Sequence, residues 1–333
     1  MFHFYNVSRE TQGAWLAEQV LQNDHAICDY EGTSYRARFW ADQGRTYEDL
    51  AERIALHRLL PPHGRRLLEV GAGFGRLVSL YDGYDQVILL DYAKSGLREA
   101  QERLGRSGRF RYVAADLYHL PLAPEICDSV VTVRVLHHLE DVPAALRQIA
   151  GVLRKGGAYV LEYANKRHLK ALLRYLAGRQ TWSPYASEPY EFVPLNFDFH
   201  PTWMRRQLEA AGFALDAELA VSHFRHPLFK RLVPHAALAR LDGTLQRVGA
   251  LWKLTPSVFV SAHTSGQGGI AQGSIFRCPR CSTTPLAEYP AALHCTGCGA
   301  VWRIDDGIFD FKAPVEGLSA EQLRTGNADH VVS

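Results

Sequence analysis

Residues Leu67 to Arg76, LLEVGAGFGR, carry an apolar run with one acid, Glu69, straight into three glycines at alternate positions, Gly71, Gly73 and Gly75. A strand that ends in closely spaced glycines and opens into a helix brings backbone N–H groups against a ligand. Without a Cβ the chain can turn left-handed and lie close to another group. Turns of this kind belong to doubly wound α/β folds. Two common phosphate loops are excluded. A dinucleotide fingerprint has glycine at the sixth position of G-x-G-x-x-G, where this chain has Arg76. The Gly-Lys-Ser/Thr of a Walker loop is also absent.

Residues further along extend the pattern. Gln86 to Leu90 reads as a second strand ending in Asp91, twenty positions after Gly71. An acid there is where nucleoside-binding doubly wound folds grip ribose hydroxyls, and Tyr92 follows it. Phe110 to Ala114 is a third apolar stretch, leading to Ala115-Asp116-Leu117. Cys127 to Val133 is a fourth strand that runs into Arg134, His137 and His138. Leu153 to Gly157 closes a helix with glycine and turns into a strand at Ala158 to Glu162.

This series resembles the class I S-adenosylmethionine-dependent methyltransferases, in particular the group with the ubiquinone and menaquinone C-methyltransferases. It covers roughly residues 60 to 165. The resemblance implies a Rossmann-like, doubly wound α/β fold with a mostly parallel seven-stranded sheet. It also implies S-adenosylmethionine as cofactor. By motif position, Glu69 and the backbone of Gly71, Ala72, Gly73 and Gly75 would hold the methionyl part, and Asp91 the ribose. Tyr92 would lie against the adenine ring, with Asp116 and Leu117 at its edge, and Arg134 would pair with the methionyl carboxylate.

At 333 residues the chain is long for one domain. A hydrophobic content of 47% with 22% charge is ordinary for a soluble globular protein, and a net charge of +2 does not announce nucleic acid or a membrane. With no secretory leader or membrane span legible, the cytoplasm is the expected compartment. The reading divides the chain into a helical cap at 1–60, with Tyr30, Tyr35, Phe39, Trp40 and Tyr47, and a methyltransferase domain at 61–262. A Gly- and Ser-rich linker at 263–274, a ribbon at 275–312 and a tail at 313–333 follow. Insertions at about 163–200 and 223–254 fall where the resembled family places substrate recognition.

Cys278-x₂-Cys281 and Cys295-x₂-Cys298 stand thirteen residues apart. Two such knuckles suit a tetrahedral, structural Zn–S₄ site that leaves no position open for chemistry, with iron in a rubredoxin-like site as the lesser alternative. The stretch Phe276 to Phe311 resembles the zinc ribbon of small activator subunits that partner certain tRNA methyltransferases. Cys28 and Cys127 lack such spacing and read as free thiols.

On the acceptor side the candidates are His137 and His138, and His200 in Phe197-Asp198-Phe199-His200-Pro201. The Asn/Asp-Pro-Pro-Tyr/Phe loop of amino-group methyltransferases is missing, since Arg134-Val135-Leu136-His137-His138 takes its place. Tyr163 to Ser187 contains no acid, and its Leu169, Leu172, Leu173 and Leu176 recur at helical spacing among basic residues. The first reading is methyl transfer to a small, hydrophobic or anionic acceptor. An RNA methyltransferase ranks second and a cofactor-binding scaffold third. The basic stretches and the ribbon are candidates for contact with a membrane surface or a protein, ahead of nucleic acid.

Overall fold

The computed structural model describes residues 25–32 and 45–315. The expected helical cap therefore lies largely outside the described residues, with Tyr35, Phe39 and Trp40, as does the tail from 316 onward. Helix α1 (Thr46–Leu59) leads in, and Pro61-Pro62 breaks the chain before β1 (Gly64–Val70). Then follow β2 (Tyr84–Asp91), α2 (Lys94–Leu104), β3 (Phe110–Ala114), β4 (Cys127–Thr132), α3 (Val142–Val152) and β5 (Leu153–Ala164). Helix α4 (Leu169–Leu176) and the hairpin β6 (Tyr190–Val193) and β7 (Asn196–Asp198) form the first insertion. After α5 (Pro201–Ala210) and β8 (Phe213–Val221), the second insertion brings α6 (Pro227–Leu232) and α7 (His235–Gly249). Strand β9 (Ser257–Thr264) precedes the ribbon strands β10 (Ala287–Tyr289), β11 (Ala292–His294), β12 (Val301–Asp305) and β13 (Ile308–Val315).

Apolar residues at consecutive positions of β1 bury it on both faces. Leu68 joins a core formed with α3 and α5, while Leu67 joins one formed with α1, α2 and α7. After the glycine loop comes only a 3₁₀ turn at Val78–Leu80, where the sequence suggested a helix. Residues 76–83 are too few to form one that also reaches back along β1 to the start of β2.

The expected seven-stranded sheet has eleven strands, in the order β10-β11-β12-β13-β3-β2-β1-β4-β5-β9-β8. The seven from β3 to β8 are the predicted set, with β9 antiparallel to both β5 and β8. The other four are the ribbon, which does not hang from a free linker. Strand β13 pairs in parallel with β3, Ile308 opposite Tyr112 and Phe309 opposite Val113, so the ribbon covers an otherwise open sheet edge. Ribbon residues Phe276, Trp302 and Phe311 are buried in the same core as Leu120 and Leu122. Ala271 N donates to Glu125 O and Ala123 N to Ile275 O, which fastens the supposed linker to the body.

Candidate active site and cysteine cluster

The carboxyl ends of β1, β2, β3 and β4 open into a cavity of about 610 Å³. Its wall includes Glu69, Gly71, Ala72, Gly73, Asp91, Tyr92, Asp116, Leu117, Arg134 and His138. Residues more than sixty positions apart in sequence thus meet at one site, at the strand ends where α/β sheets bind ligands. Among the predicted cofactor residues only Gly75 is absent from the wall; it shapes the loop from behind, with φ +70°.

The loop is built by hydrogen bonds that its glycines permit. Gly71 N and Ala72 N both donate to Leu90 O, and Gly73 N donates to Asp91 Oδ2 at 2.7 Å. Gly71 has φ +71°, and a Cβ there would lie 2.3 Å from Val135 Cγ2. No atom lies within 4 Å of where a Cβ of Gly73 would point, so this backbone is open to a ligand. Asp91 Oδ1 accepts from Ala93 N at 2.9 Å. Burial raises the Asp91 pKa, against the pull of these backbone donors.

Glu69 is buried and its Oε2 has no hydrogen-bond partner. Burial pushes its pKa up to about 8, partly offset by the Arg76 guanidinium. A sealed carboxylate oxygen without a donor beside a glycine loop fits the ammonium of a bound amino acid moiety. Asp116 takes the start of the next turn: Oδ1 accepts from Tyr118 N at 2.9 Å, and Oδ2 meets His119 Nδ1 at the same distance. The Lys312 ammonium, from the ribbon, lies 4.5 Å from the Tyr92 ring centroid, so the ribbon reaches the cavity wall.

Arg134 lines the cavity with φ +62°, a strained backbone for a residue with a Cβ. Its N–H donates to Glu162 Oε2, and its guanidinium pairs with Glu52 of α1. Arg76 pairs with the same Glu52 and with Asp49. The cation expected to meet a methionyl carboxylate is therefore held by α1 in this structure. Beyond it, Arg225 Nε is buried without a partner, and burial, then the Arg134 charge, lower the Arg225 pKa.

The three histidine candidates separate. His138 lines the cavity; its Nδ1 is 3.0 Å from Leu195 O and its Nε2 is 3.1 Å from Tyr30 Oη. The carbonyl requires Nδ1 to carry the proton, which leaves Nε2 to accept from the tyrosine. Burial lowers the His138 pKa. His137 stacks on it at 4.0 Å between centroids but is outside the cavity wall, and its Nδ1 is sealed without a partner. Burial, then the His138 charge, holds the His137 pKa well below its ordinary value. His200 accepts from Thr202 N and caps α5, away from the wall.

Sequence reasoning missed Tyr30, Glu52, Arg76 and Arg225. Tyr30 stood out only as one aromatic of the cap, and nothing local tied it to His138, 108 residues away. Glu52 did leave one, as an acid on the same helical face as Ala51, Ala55 and Leu56.

In the ribbon the four sulfurs of Cys278, Cys281, Cys295 and Cys298 lie within 4.8 Å of one another. Sγ of Cys278 is 3.7 Å from that of Cys298, and Sγ of Cys281 is 3.4 Å from that of Cys295. Bonds of about 2.3 Å to a tetrahedral zinc would separate sulfurs by about 3.8 Å, and a disulfide would bring them to about 2.0 Å. The cluster fits a metal and not a bridge.

Residues 68–161 match the family model described as a methyltransferase domain. Over 152 residues the chain is 29% identical to the O-methyltransferase cnsE of Penicillium expansum, covering 42% of this chain and 54% of that protein. Over 169 residues it is 29% identical to the ubiquinone/menaquinone biosynthesis C-methyltransferase UbiE of Pseudomonas entomophila, covering 45% and 65%. The solved structure of an S-adenosylmethionine-dependent methyltransferase of Mesorhizobium loti superposes with a TM-score of 0.46 at 22% identity, over 65% of this chain and 99% of that one. The chain spans less than two thirds of the length of the two curated relatives. The similarity to methyltransferase domains thus lies within residues 68–161, the stretch that builds the glycine loop and the strand ends around the cavity.

Proposed function

We propose that the protein transfers a methyl group from S-adenosylmethionine to a small acceptor with an apolar body or an anionic group. The observation that carries this reading is the convergence of the glycine loop, Glu69 and Asp91 on one cavity. Glu69 would take the ammonium, the Gly73 backbone the methionyl chain and Asp91 the ribose diol. Asp116 and Leu117 would frame the adenine.

When bound, the cofactor supplies an activated methyl carbon on a sulfonium, so the protein has chiefly to align the acceptor and exclude water. Val133, Val135 and Leu139 give the cavity an apolar wall beyond the glycine loop. Tyr30 and His138 offer a proton path: the phenol can receive a proton from an acceptor and pass its own to His138 Nε2. The four cysteines would hold a structural zinc within the ribbon.

No feature of the fold favours RNA as acceptor or a cofactor-binding scaffold over this reading. The test is calorimetry with S-adenosylmethionine, followed by extracts incubated with the methyl-labelled cofactor. Micromolar binding and label in a small molecule are expected. Binding of NAD with none of S-adenosylmethionine would end this reading.

A further inference from the structure

Every large apolar side chain that is exposed among the described residues falls within Leu169 to Phe192 or Leu228 to Leu254. On α4 these are Leu169, Leu173, Tyr175 and Leu176, the three leucines spaced to share one face, with Leu176 at 73% exposure. Helix α7 buries Leu238 and Ala239 against the body as a surface helix does, but it also buries two polar side chains and exposes three apolar ones. Its inward face carries Asp242 and Gln246, both buried and hydrogen-bonded, Asp242 to Tyr47 Oη and to His223 N. Its outward face carries Leu241, Leu245 and Val248, and the chain then turns through Leu251 and Trp252, 76% and 58% exposed.

These elements are joined. Leu169 N donates to Leu254 O at 2.8 Å, and Asn165 Nδ2 donates to Lys253 O at 2.7 Å, which fixes the start of α4 against the turn that ends α7. Between α4 and α7 in sequence, α6 adds Leu228, Phe229 and Leu232, the last 70% exposed.

The exposed charges that α4, α6 and α7 themselves carry have one sign. Lys170, Arg174, Arg231, Arg240 and Arg247 are exposed. Between Tyr163 and Ser187 there is no acid, and between Leu219 and Leu254 the one acid is the buried Asp242. A second copy of this chain would set guanidinium against guanidinium. A nucleic acid would meet the cations and leave Leu176, Leu251 and Trp252 in water. Anionic lipid satisfies both, with phosphates for the basic side chains and the acyl boundary for the leucines and the indole.

We propose that α4, α6, α7 and the Leu251–Leu254 turn form a docking surface for an anionic lipid bilayer, on which the protein lies without crossing. No described helix is long and apolar enough to span a membrane. The surface stands on exposure and charge and is independent of the methyl-transfer reading.

The test is flotation of the full chain, with its metal, on vesicles of phosphatidylcholine with phosphatidylglycerol and on phosphatidylcholine alone. About tenfold stronger binding to the anionic vesicles is expected, reduced by salt. Leu245→Glu with Trp252→Glu should abolish it while leaving S-adenosylmethionine affinity and the melting temperature as they were. Should that pair misfold, Arg240→Glu with Arg247→Glu reads the same surface through its salt dependence. Failure of the wild type to float with anionic vesicles overturns the proposal. So does undiminished binding by a folded variant, or a wild-type dimer that the leucine–tryptophan variant dissolves.

Discussion

The Tyr30 hydroxyl lies 3.1 Å from His138 Nε2, while Leu195 O holds the opposite ring nitrogen at 3.0 Å. The carbonyl fixes the tautomer, so the imidazole presents a basic nitrogen to the phenol and not directly to the cavity. A segment before the glycine-loop strand thereby supplies the group that would face an acceptor.

Tyr30→Phe should lower kcat by about 10²-fold or more if the pair carries a proton, with S-adenosylmethionine affinity little changed. His138→Gln should do the same. Because burial keeps His138 neutral below its ordinary value, wild-type activity should persist into mildly acidic solution. Unaltered kcat in both variants, measured once an acceptor is known, would leave the pair a structural role only.

Glu69 titrates in a range that makes its role visible. With the pKa near 8, the carboxyl is mostly neutral at pH 7, and pairing with an ammonium would ionise it. Binding of S-adenosylmethionine near pH 7 should therefore release up to one proton per chain. Calorimetry in phosphate and in Tris, which differ in ionisation enthalpy, measures this as a difference in apparent heat. Equal heats in the two buffers would contradict the assignment.

The same shift bears on the ligand-free fold. The unfolded chain gives up this proton near 4.5 and the folded one near 8, so rising pH favours unfolding across that window and not beyond it. Glu69→Gln should raise the melting temperature at pH 8, and the advantage should shrink toward about pH 5. It should also weaken cofactor binding, a combination that a simple packing defect would not produce.

Asp91→Ala removes a carboxylate that orders the loop through Gly73 N and Ala93 N before any ligand arrives. A loss of roughly 1–3 kcal/mol in S-adenosylmethionine binding is expected from the unpaired groups. Asp91→Asn keeps one acceptor and should lose less. Equal affinity for all three proteins by calorimetry would remove Asp91 from the site.

What could be read from the chain depended on how local each signal was. Strand ends and the glycine loop were legible because β1 to β4 are short apolar runs whose following residues mark the ligand side. The cysteine knuckles were legible because both halves of the cluster are contiguous. Arg134 lines the cavity, yet its partner Glu52 is 82 residues away on another element, and periodicity does not report such pairs. The ribbon's attachment was misread for the same reason. Gly- and Ser-rich composition at 263–274 suggested freedom, while the docking is decided by Phe276, Trp302 and Phe311 meeting a core built from distant strands.

That attachment changes what loss of the metal should do. A ribbon held on a flexible tether would unfold alone and leave cofactor binding intact. Here β13 completes the edge of β3, Asp305 and Asp310 pair with Lys94, and Lys312 lies over Tyr92. Lys94 opens α2, directly beside the cavity-lining end of β2. One zinc per chain is expected by elemental analysis. Cys278→Ser, or chelation, should expose the β3 edge and the buried aromatic cluster. Calorimetry should then show a single melting transition for the chain at lower temperature, together with weaker S-adenosylmethionine binding. A low-temperature transition of the ribbon alone, with the main transition and cofactor affinity unmoved, would mean that the contacts at β3 and Tyr92 contribute little.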